Sequence, residues 1–323
     1  MSNPLEKHKI RLLNYLSPEE YASIHRLMEL CCALDRINLK LELDYKLHVG
    51  NLANQNGQEH SRNKSEFLYY INGELVSYLG ISCFDNETGE LCGMTHPDWR
   101  DRGLFGRLLS LAANELRHVR YKTLLLLSDH ASESGMNYLK SHQYSYAHSE
   151  YRMKRISPAH SPHPAENDAT AAGTESIAGS SPVLRLRLAG KEDESEIARQ
   201  DALLFHSSEK AEAEKEPCPF SLEEQPENCR LLMIELNDTA IGKINIEYAE
   251  HTAFLYGFGI LPEYRGKGYG RHALEKVLQM LDAQGIPITE LDVVCTNSNA
   301  LPLYQSCGFE EQSVMNYYHF PLP

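Results

Sequence analysis

The sequence predicts an α/β (α+β) fold that is present twice in one chain. Two observations support this prediction: the same order of strands and helices can be read in both halves, and a low-complexity segment separates the halves. A length of 323 residues also suits two domains of about 150 residues each. We therefore predict an N-terminal domain at 1–155, a flexible linker at 156–182 and a C-terminal domain at 183–323.

Composition limits the classes of partner and compartment. The formal charge of -14 argues against nucleic acid as a partner, because phosphate binding requires a basic face. The eight cysteines form no C-x-x-C pair and are expected to be reduced. No signal peptide is recognisable, and no apolar run approaches the ~18 residues that a membrane span requires. We expect a cytoplasmic monomer or homodimer that binds neither membrane nor nucleic acid.

The predicted linker is rich in Pro, Ala, Ser, Gly and Thr and has few large apolar residues. Such a segment cannot bury enough surface to offset the entropy lost on ordering. It should therefore connect two separately folded halves.

In the first half, apolar periodicity and turn residues predict a mixed order of elements. Strands are expected at 9–16, 66–71, 74–84, 90–95 and 122–128, with helices at 18–37, 102–119 and 133–142. The pair Asn72-Gly73 is typical of a hairpin turn.

The second half repeats that order. Strands are expected at 182–189, 229–236, 239–248, 252–261 and 288–295 and as a final pair within 308–320, with helices at 191–206, 271–285 and 298–306. Asn237-Asp238 predicts a hairpin turn, and Gly285 is expected to end the helix that begins near Arg271.

A constant offset supports duplication. Pro97, Arg100 and Gly103 lie 165 residues before Pro262, Arg265 and Gly268, and the same offset places Tyr144 under Phe309 without a gap. A register that holds this far, with the same element order, makes an internal repeat the better explanation.

The loop "YRGKGYGR", from Tyr264 to Arg271, lies between a predicted strand and a predicted helix. It matches neither the nucleotide P-loop nor the dinucleotide fingerprint, because no G-K-[ST] string follows and Arg271 replaces the third glycine. Successive backbone N–H groups of residues 266–271 can still converge on an anion at the helix N-terminus. The alternative is an ordinary tight turn before a helix.

The loop is followed by a second motif, and together the two resemble the GCN5-related N-acetyltransferase (GNAT) superfamily. The first motif is [QR]-x-x-G-x-[GA], matched by Arg265, Gly268 and Gly270. The second is N-x-x-A-x-x-L-Y-x-x-x-G-F, matched at Asn297, Ala300, Leu303, Tyr304, Gly308 and Phe309. In the first half the resemblance rests on the element order and on "RDRGLF".

The resemblance implies two tandem GNAT domains, each a mixed, mostly antiparallel twisted sheet flanked by helices, with acetyl-coenzyme A as the acyl donor. It implies that the strand before the loop splays from the next strand and pairs with the pantetheine arm. The cofactor-binding residues implied are Phe258, Gly259, Ile260, Arg265, Gly266, Lys267, Gly268, Tyr269, Gly270, Arg271 and Asn297.

The same resemblance implies direct transfer of the acetyl group to an amine, with Tyr304 as the acid for the leaving thiolate and the N–H of Gly259 or Ile260 as oxyanion donor. Tyr304 could instead be a packed aromatic residue, and Asn297 a helix cap. The base stays open. The candidates are Tyr256, Glu247, Glu250 and Glu263.

Other chemistry is not expected. Cys295 and Cys307 have no histidine partner in the motif, which favours small buried residues over an acyl-cysteine, and no histidine spacing predicts a metal. In the first half, at the 165-residue offset, Phe105 replaces Gly270, Leu139 replaces Tyr304 and Ser132 replaces Asn297. We therefore expect the N-terminal domain to have lost catalysis, although its "RDRG" loop could still hold a cofactor.

The predicted function is an N-acetyltransferase whose acceptor is a primary amine of a small molecule or a peptide. The alternative is a non-catalytic acyl-coenzyme A binding or sensor protein with the same fold. Release of free thiol in the presence of amines distinguishes the two.

Overall fold

The structure is a computed structural model that describes residues 6–55, 64–83, 87–117, 119, 121–158, 183–205, 222, 225–297 and 300–321. The part of the predicted linker from residue 159 to 182 lies outside the described residues, as does most of the charged stretch at 206–224. The chain divides into two compact units. The first comprises Met1–Tyr151, Val294–Thr296 and Ser313–Pro323, and the second comprises Arg152–Val293 and Asn297–Gln312.

The first part of the chain forms six strands and four helices within the described residues. These are β1 (His8–Leu13), α1 (Pro18–Asp35), α2 (Leu43–Gln55), β2 (Glu66–Ile71), β3 (Glu74–Ser82), β4 (Thr88–Thr95), α3 (Leu104–Leu116), β5 (Thr123–Asp129), α4 (Glu133–Ser141) and β6 (Ser145–Ile156). The predicted elements are present, and α2 and β6 are two elements that the sequence pattern did not predict.

The second part of the chain repeats the order of strands and helices seen in the first part, without a counterpart of α2 among the described residues. Its elements are β7 (Leu184–Leu188), α5 (Glu194–Phe205), β8 (Cys229–Leu236), β9 (Thr239–Tyr248), β10 (Thr252–Ile260), α6 (Tyr269–Ala283), β11 (Ile288–Val294), α7 (Ala300–Ser306) and β12 (Glu310–His319). The prediction of a final strand pair is wrong: β12 is one strand, because its polar first half is simply the exposed end of the strand rather than a turn.

Both predicted hairpin turns are confirmed. Asn72 and Gly73 have φ values of 52° and 90°, and Asn237 and Asp238 have values of 50° and 64°. Two successive residues with positive φ are the signature of the turn that matches the twist of a hairpin.

In the first unit the strand order is β1-β2-β3-β4-β5-β12-β6. Neighbours β1 to β4 are antiparallel, and β4 and β5 are parallel. Residues Met315–His319 of β12 pair antiparallel with Leu125–Asp129 of β5. The C-terminal strand of the chain therefore belongs to the unit that is built mostly from its N-terminal half.

In the second unit the order from one edge is β7-β8-β9-β10-β11, followed by the end of β6. Helix α6 packs on one face of this sheet and α5 on the other. The apolar stripe of α6 faces the core, since its buried residues are Ala273, Leu274, Val277, Leu278 and Leu281. Each fully buried leucine of this kind contributes about 2 kcal/mol through removal of apolar surface from water.

The opposite face of the sheet is covered by Ile197 of α5, which packs against Leu231 and Met233 of β8. The distinction between the two faces is used below, because the loop after β10 leads into α6 and so lies on the α6 face. Within the described residues, no helix is both long and apolar enough to cross a bilayer.

Candidate active site

The glycine loop joins β10 to α6 through a 3-10 turn at Pro262–Tyr264. Gly266 and Gly268 have φ values of 73° and 83°, a region that residues with a Cβ rarely adopt. Nothing lies within 4 Å of the position where a Cβ would stand at either glycine. The backbone conformation therefore requires these glycines, and the space above them is open.

The backbone N–H groups of this loop are the main feature of the site. The first donation into α6 comes from His272, whose N–H reaches the Gly268 carbonyl at 3.1 Å. Within the described residues, no hydrogen bond engages the N–H groups of residues 266–271. A run of unengaged donors at the positive end of a helix dipole is a binding site for a phosphate-like anion.

The basic side chains of the loop differ in what they do. Arg265 Nε donates to the Ile260 carbonyl at 2.7 Å and so closes the turn. Lys267 Nζ donates to the Glu263 carbonyl at 3.0 Å and lies 5.7 Å from the centre of the Tyr264 ring. Arg271 is exposed on the first turn of α6 and adds positive charge near the donors.

A slot opens next to the loop because two parallel strands separate. The paired residues of β10 and β11 run from Thr252–Ile288 to Leu255–Leu291. Beyond Leu255, among the described residues 225–297, β10 has no further partner on β11. The backbone of Phe258, Gly259 and Ile260 therefore borders the slot on the edge that faces away from β9.

A β-bulge shapes β10 at the same place. Tyr256 pairs with Asn245 of β9, but Gly259 pairs with Lys243, so β10 contains one extra residue. Gly257 lies in the bulge with a φ of 56°. Such a bulge turns the following backbone out of the regular ladder. Two closely spaced glycines in "YGFG" are the sequence signal that could have predicted it.

Helix α7 completes the slot opposite β10. A Cβ on Gly270 would lie 3.8 Å from the Leu303 side chain and 3.9 Å from the Phe258 ring, so α7, α6 and β10 meet here. Tyr304 follows Leu303, and its ring packs edge-on against Phe309 at 5.9 Å. Within the described residues its hydroxyl makes no hydrogen bond. Burial is the main cause that raises the pKa of Tyr304 to about 12, with Cys307 adding to it.

Asn297 is the N-cap of α7 in this structure. Its Oδ1 accepts a hydrogen bond from the Ala300 N–H at 3.1 Å. This is the cap alternative raised by the sequence, and the amide NH2 group is not engaged by any described residue. Whether Asn297 also binds a cofactor stays a prediction.

The base candidates are divided between the sheet and the surface. Glu247 pairs with Phe254, and Tyr256 with Asn245, so Glu247 and Tyr256 share the face covered by α5. Glu247 Oε1 accepts a hydrogen bond from Asn228 at 3.4 Å. Glu250 and Glu263, in contrast, lie exposed in turns.

Tyr256 stays protonated at neutral pH. Burial raises its pKa far above the ordinary value, and the neighbouring Cys229 and Glu247 raise it further. A phenol in this state can donate a hydrogen bond but is a poor proton acceptor. Of the two residues on this face, the Glu247 carboxylate is the better candidate for a base.

Three residues that the sequence analysis did not select lie under the bulge. Lys243 is 2% exposed, and its Nζ lies 2.7 Å from Oδ1 of Asp201 on α5. Asn245 is 5% exposed, and its Nδ2 lies 2.6 Å from the position of a Cβ on Gly257. A lysine inside the mostly apolar strand segment "AIGKINI" was the available signal for a buried charge. Its partner, 42 residues earlier, had none.

Metal and thiol chemistry can be examined for the described residues only. Among them, no group of three or more His, Cys, Asp or Glu side chains is arranged to hold a metal ion. All seven cysteines in the described ranges are free thiols. Burial, followed by Glu275, raises the pKa of Cys307, which makes it a weak nucleophile.

The fold agrees with comparisons to known proteins. Residues 197–309 match the model of the Acetyltransferase (GNAT) family. An uncharacterized N-acetyltransferase, YycN, of Bacillus subtilis is 39% identical over 69 residues, which are 21% of this chain and 44% of that protein. The [ribosomal protein bS18]-alanine N-acetyltransferase of Escherichia coli K12 is 36% identical over 67 residues, 20% of this chain and 45% of that protein. The chain thus matches less than half the length of these relatives.

Solved structures extend the fold comparison to nearly the whole chain. A GCN5-related N-acetyltransferase of Sphaerobacter thermophilus has a TM-score of 0.67 at 16% identity, covering 98% of this chain and 96% of that one. A tandem GNAT protein from the clavulanic acid biosynthesis pathway has a TM-score of 0.64 at 14% identity, covering 98% and 99%. Residues 197–309 therefore form a domain of the GNAT acetyltransferase family. The chain as a whole has the tandem GNAT fold, and both predictions are confirmed.

Proposed function

We propose that this protein is an N-acetyltransferase that moves an acetyl group from acetyl-coenzyme A directly to a primary amine, with the chemistry in the second unit. The observation that supports the proposal most strongly is the run of unengaged N–H groups at residues 266–271, at one end of the slot beside β10. The family match over residues 197–309 includes this loop and Tyr304.

The loop has the properties that a diphosphate requires. Its N–H groups are donors without partners among the described residues, and the space above Gly266 and Gly268 is open. Arg265, Lys267 and Arg271 supply positive charge around it. Arg265 and Lys267 each donate to a backbone carbonyl, whereas the Arg271 side chain makes no hydrogen bond to a described residue. Tyr269 and Gly270 form the first turn of α6 and contribute backbone donors.

The slot has the properties that an extended amide-containing arm requires. Phe258, Gly259 and Ile260 border it with backbone groups that have no partner on β11 among residues 225–297. An arm with amide groups can pair with such an edge as an additional strand would. The NH2 group of Asn297 is a further donor at the α7 end.

Acetyl-coenzyme A, when bound, supplies the acetyl group as a thioester. We assign the N–H of Gly259 or Ile260 to the oxygen that becomes negative during transfer, because the bulge turns this backbone toward the slot. Tyr304 donates its proton to the leaving sulfur, since its raised pKa keeps the phenol protonated over the physiological range.

The acceptor amine approaches from the other face of the sheet. The phosphate loop opens on the α6 face, whereas Tyr256 is 38% exposed on the α5 face. Glu247 on that face removes a proton from the acceptor, directly or through water, and protonated Tyr256 orients the amine by hydrogen bonding. Glu247 is thus proposed as the base and Tyr256 as the residue that orients the acceptor.

The acceptor is proposed as a primary amine of a small molecule or a peptide. The relative from Escherichia coli is named for transfer to an alanine of a ribosomal protein, but it is matched over only 45% of its length. We also propose that the domains span 1–155 and 183–323, with residues 313–323 of the second domain contributed to the first compact unit. We further propose that the first domain supports rather than catalyses, and that the protein acts in the cytoplasm as a monomer or homodimer.

Release of free coenzyme A thiol from acetyl-coenzyme A in a panel of primary amines tests the proposal. Wild type should release thiol with at least one amine, and Tyr304→Phe should lower kcat about a hundredfold while leaving binding of coenzyme A unchanged. Tyr248→Phe is the matched control, because that hydroxyl binds Gln284 on the surface. It should keep full activity.

Each outcome has a defined meaning. Tight binding of acetyl-coenzyme A without turnover of any amine would favour the alternative of a non-catalytic acyl-coenzyme A binding protein. Full turnover by Tyr304→Phe would remove Tyr304 from the mechanism.

A further inference from the structure

The bulge in β10 is enclosed by side chains on the face that α5 covers. A Cβ at Gly257 would lie 2.6 Å from Asn245 Nδ2, and one at Gly259 would lie 2.5 Å from the Leu204 side chain of α5. The backbone from 257 to 259 thus rests directly on residues of β9 and α5. Its shape depends on what those residues hold in place.

The residue opposite Gly259 in the ladder is Lys243, and it is charged but buried. Its side chain is 3% exposed, and Nζ lies 2.7 Å from Asp201 Oδ1 and 3.9 Å from the Cβ position of Gly257. The ion pair therefore ties α5 to β9 immediately beneath the bulge. Asp201 is a third exposed, so it approaches this position from the surface of α5.

A buried ion pair is a poor source of stability. Removing two charges from water costs several kcal/mol, and apolar residues of similar size often stabilise a protein as well or better. What such a pair provides is a fixed distance between two elements, since neither charge can move without losing its partner. Here the fixed distance is the one between α5 and the strand that carries the bulge.

The first unit offers an internal comparison. The residue 165 positions before Lys243 is Tyr78, which is fully buried and bound to Glu66 and Lys46 of its own unit. There, β3 and β4 stay in register from Ser77–Thr95 to Ser82–Glu90, without a bulge. Among the described residues, β10 is thus bulged where it lies on the lysine-aspartate pair, whereas its counterpart β4 is regular.

We propose that the Lys243–Asp201 ion pair is a positioning device for the reaction. It holds α5 against β9 so that the bulge at Gly257 keeps the N–H group of Gly259 or Ile260 directed at the slot. This inference rests on the proposed function for the task of that N–H group. The mechanical part, that the pair holds the bulge, stands independently of any activity.

Two variants of one residue separate charge from shape. Asp201→Asn keeps the size of the side chain and removes its charge, whereas Asp201→Glu keeps the charge at a position with room to adjust. Lys243→Met removes the other charge. The matched control is Arg199→Gln, which breaks an exposed ion pair with Glu196 on the same helix.

The first measurement needs no activity. Hydrogen exchange followed by mass spectrometry should show amides of residues 256–260 exchanging about tenfold faster in Asp201→Asn and Lys243→Met, and unchanged in Asp201→Glu and Arg199→Gln. Amides of α6 should keep their protection in all four variants. Unchanged exchange at 256–260 in both charge-removing variants overturns the inference.

The second measurement concerns the reaction. If wild type acetylates an amine, kcat should fall about tenfold or more in Asp201→Asn and Lys243→Met, while KM for acetyl-coenzyme A changes less than about threefold and Asp201→Glu retains most of kcat. A kcat within twofold of wild type in both variants overturns the positioning role. Wild type without turnover, but with the exchange response, rejects the proposed function and leaves the structural part of the inference intact.

Discussion

The loop after β4 in the first unit and the loop after β10 in the second have closely similar backbones, whereas the strands that lead into them differ. Arg100 Nε donates to the Thr95 carbonyl at 3.1 Å, as Arg265 does to Ile260 at 2.7 Å. Gly103 has a φ of 72° and begins α3 as Gly268 begins α6. The backbone geometry of the loop is therefore alike in both copies.

The part of the first unit that corresponds to the slot of the second unit is different. A Cβ at Gly93 would lie 3.0 Å from the Phe105 ring, and that ring packs edge-on against Tyr138 at 5.4 Å. Aromatic rings thus stand at the junction of β4, α3 and α4, where the second unit has Gly270 beside Leu303 and Phe258. Leu139, which replaces Tyr304 at the repeat offset, is buried and offers no proton.

The difference teaches that the two ends of such a site can change separately. The loop is set by backbone conformation, which Asp101 reproduces with a φ of 59° in place of glycine. The slot is set by side-chain volume and by a bulge, and both differ between the two units. A duplicated domain can therefore lose the residues for acetyl transfer and still keep the backbone conformation of the glycine loop.

The largest expected effect is on the affinity for acetyl-coenzyme A, and the same substitution made in each loop tests it. Gly268→Val and Gly103→Val place a β-branched residue at the same left-handed position, where it is strained. We expect wild type to bind one equivalent of acetyl-coenzyme A per chain, and Gly268→Val to weaken binding about a hundredfold, an effect of roughly 3 kcal/mol. Isothermal titration calorimetry measures both quantities.

Gly103→Val is the control and should bind like wild type. Two equivalents in wild type, with one lost in Gly103→Val, would show that the first unit holds the cofactor despite Phe105.

The next effect concerns stability of the first unit alone. The Tyr317 hydroxyl donates to Glu150 at 2.5 Å and accepts from Lys40 Nζ at 2.8 Å, and the residue is fully buried. Tyr317→Phe should lower the free energy of unfolding by about 2 kcal/mol, because it leaves buried polar groups without one partner. Urea unfolding followed by fluorescence gives this value.

Tyr318→Phe is the matched control on the same strand, since its hydroxyl makes no hydrogen bond to a described residue. Neither variant should alter the affinity for acetyl-coenzyme A. Weaker binding in Tyr317→Phe alone would mean that the first unit contributes directly to the cofactor site.

The pH dependence of kcat sharpens the role of Tyr304. The acid form of a phenol is present below its pKa, and the pKa of Tyr304 is raised to about 12. Loss of this proton should therefore not reduce kcat until pH rises well above about 10. We expect wild type to keep a constant kcat up to that pH, and Tyr304→Phe to have a lower kcat than wild type at every pH. An alkaline decline in wild type near pH 8 that Tyr304→Phe lacks would contradict it.

The smallest effect is expected at Gly270. A Cβ there would make ordinary contacts of 3.6 Å to Ile260 and 3.8 Å to Leu303. Gly270→Ala should leave the affinity for acetyl-coenzyme A within about threefold and raise stability by up to about 1 kcal/mol, as alanine favours helix. Calorimetry and urea unfolding check the two values. Gly270→Phe, which copies the first unit, should weaken the affinity by more than the threefold limit set for alanine. If it does not, Phe105 is not the reason for the difference.

Much of this fold could be predicted from the sequence because its signals are local. The hairpins at Asn72-Gly73 and Asn237-Asp238, the buried stripe of α6 and the left-handed Gly268 each depend on a few consecutive residues. The motif around Tyr304 is equally local, and it led to the family that the comparisons support.

What could not be predicted depends on residues far apart in the chain. Asp201 meets Lys243 only after α5 folds onto β9, and no local pattern marks aspartate as its partner. Helix α2 was missed because Gly50 interrupts it and its apolar residues form no clear stripe. The register of β12 on β5 is likewise a long-range pairing, invisible in either segment alone.

The pairing of β12 with β5 affects how the chain folds during its synthesis. A ribosome completes β5 at Asp129, but the residues of β12 that pair with its edge begin only at Met315. Until then β5 presents an open edge, which is a surface for pairing with other chains. The unit that is synthesised first should thus be the last to finish folding, and nascent chains stalled before residue 313 should depend most on chaperones.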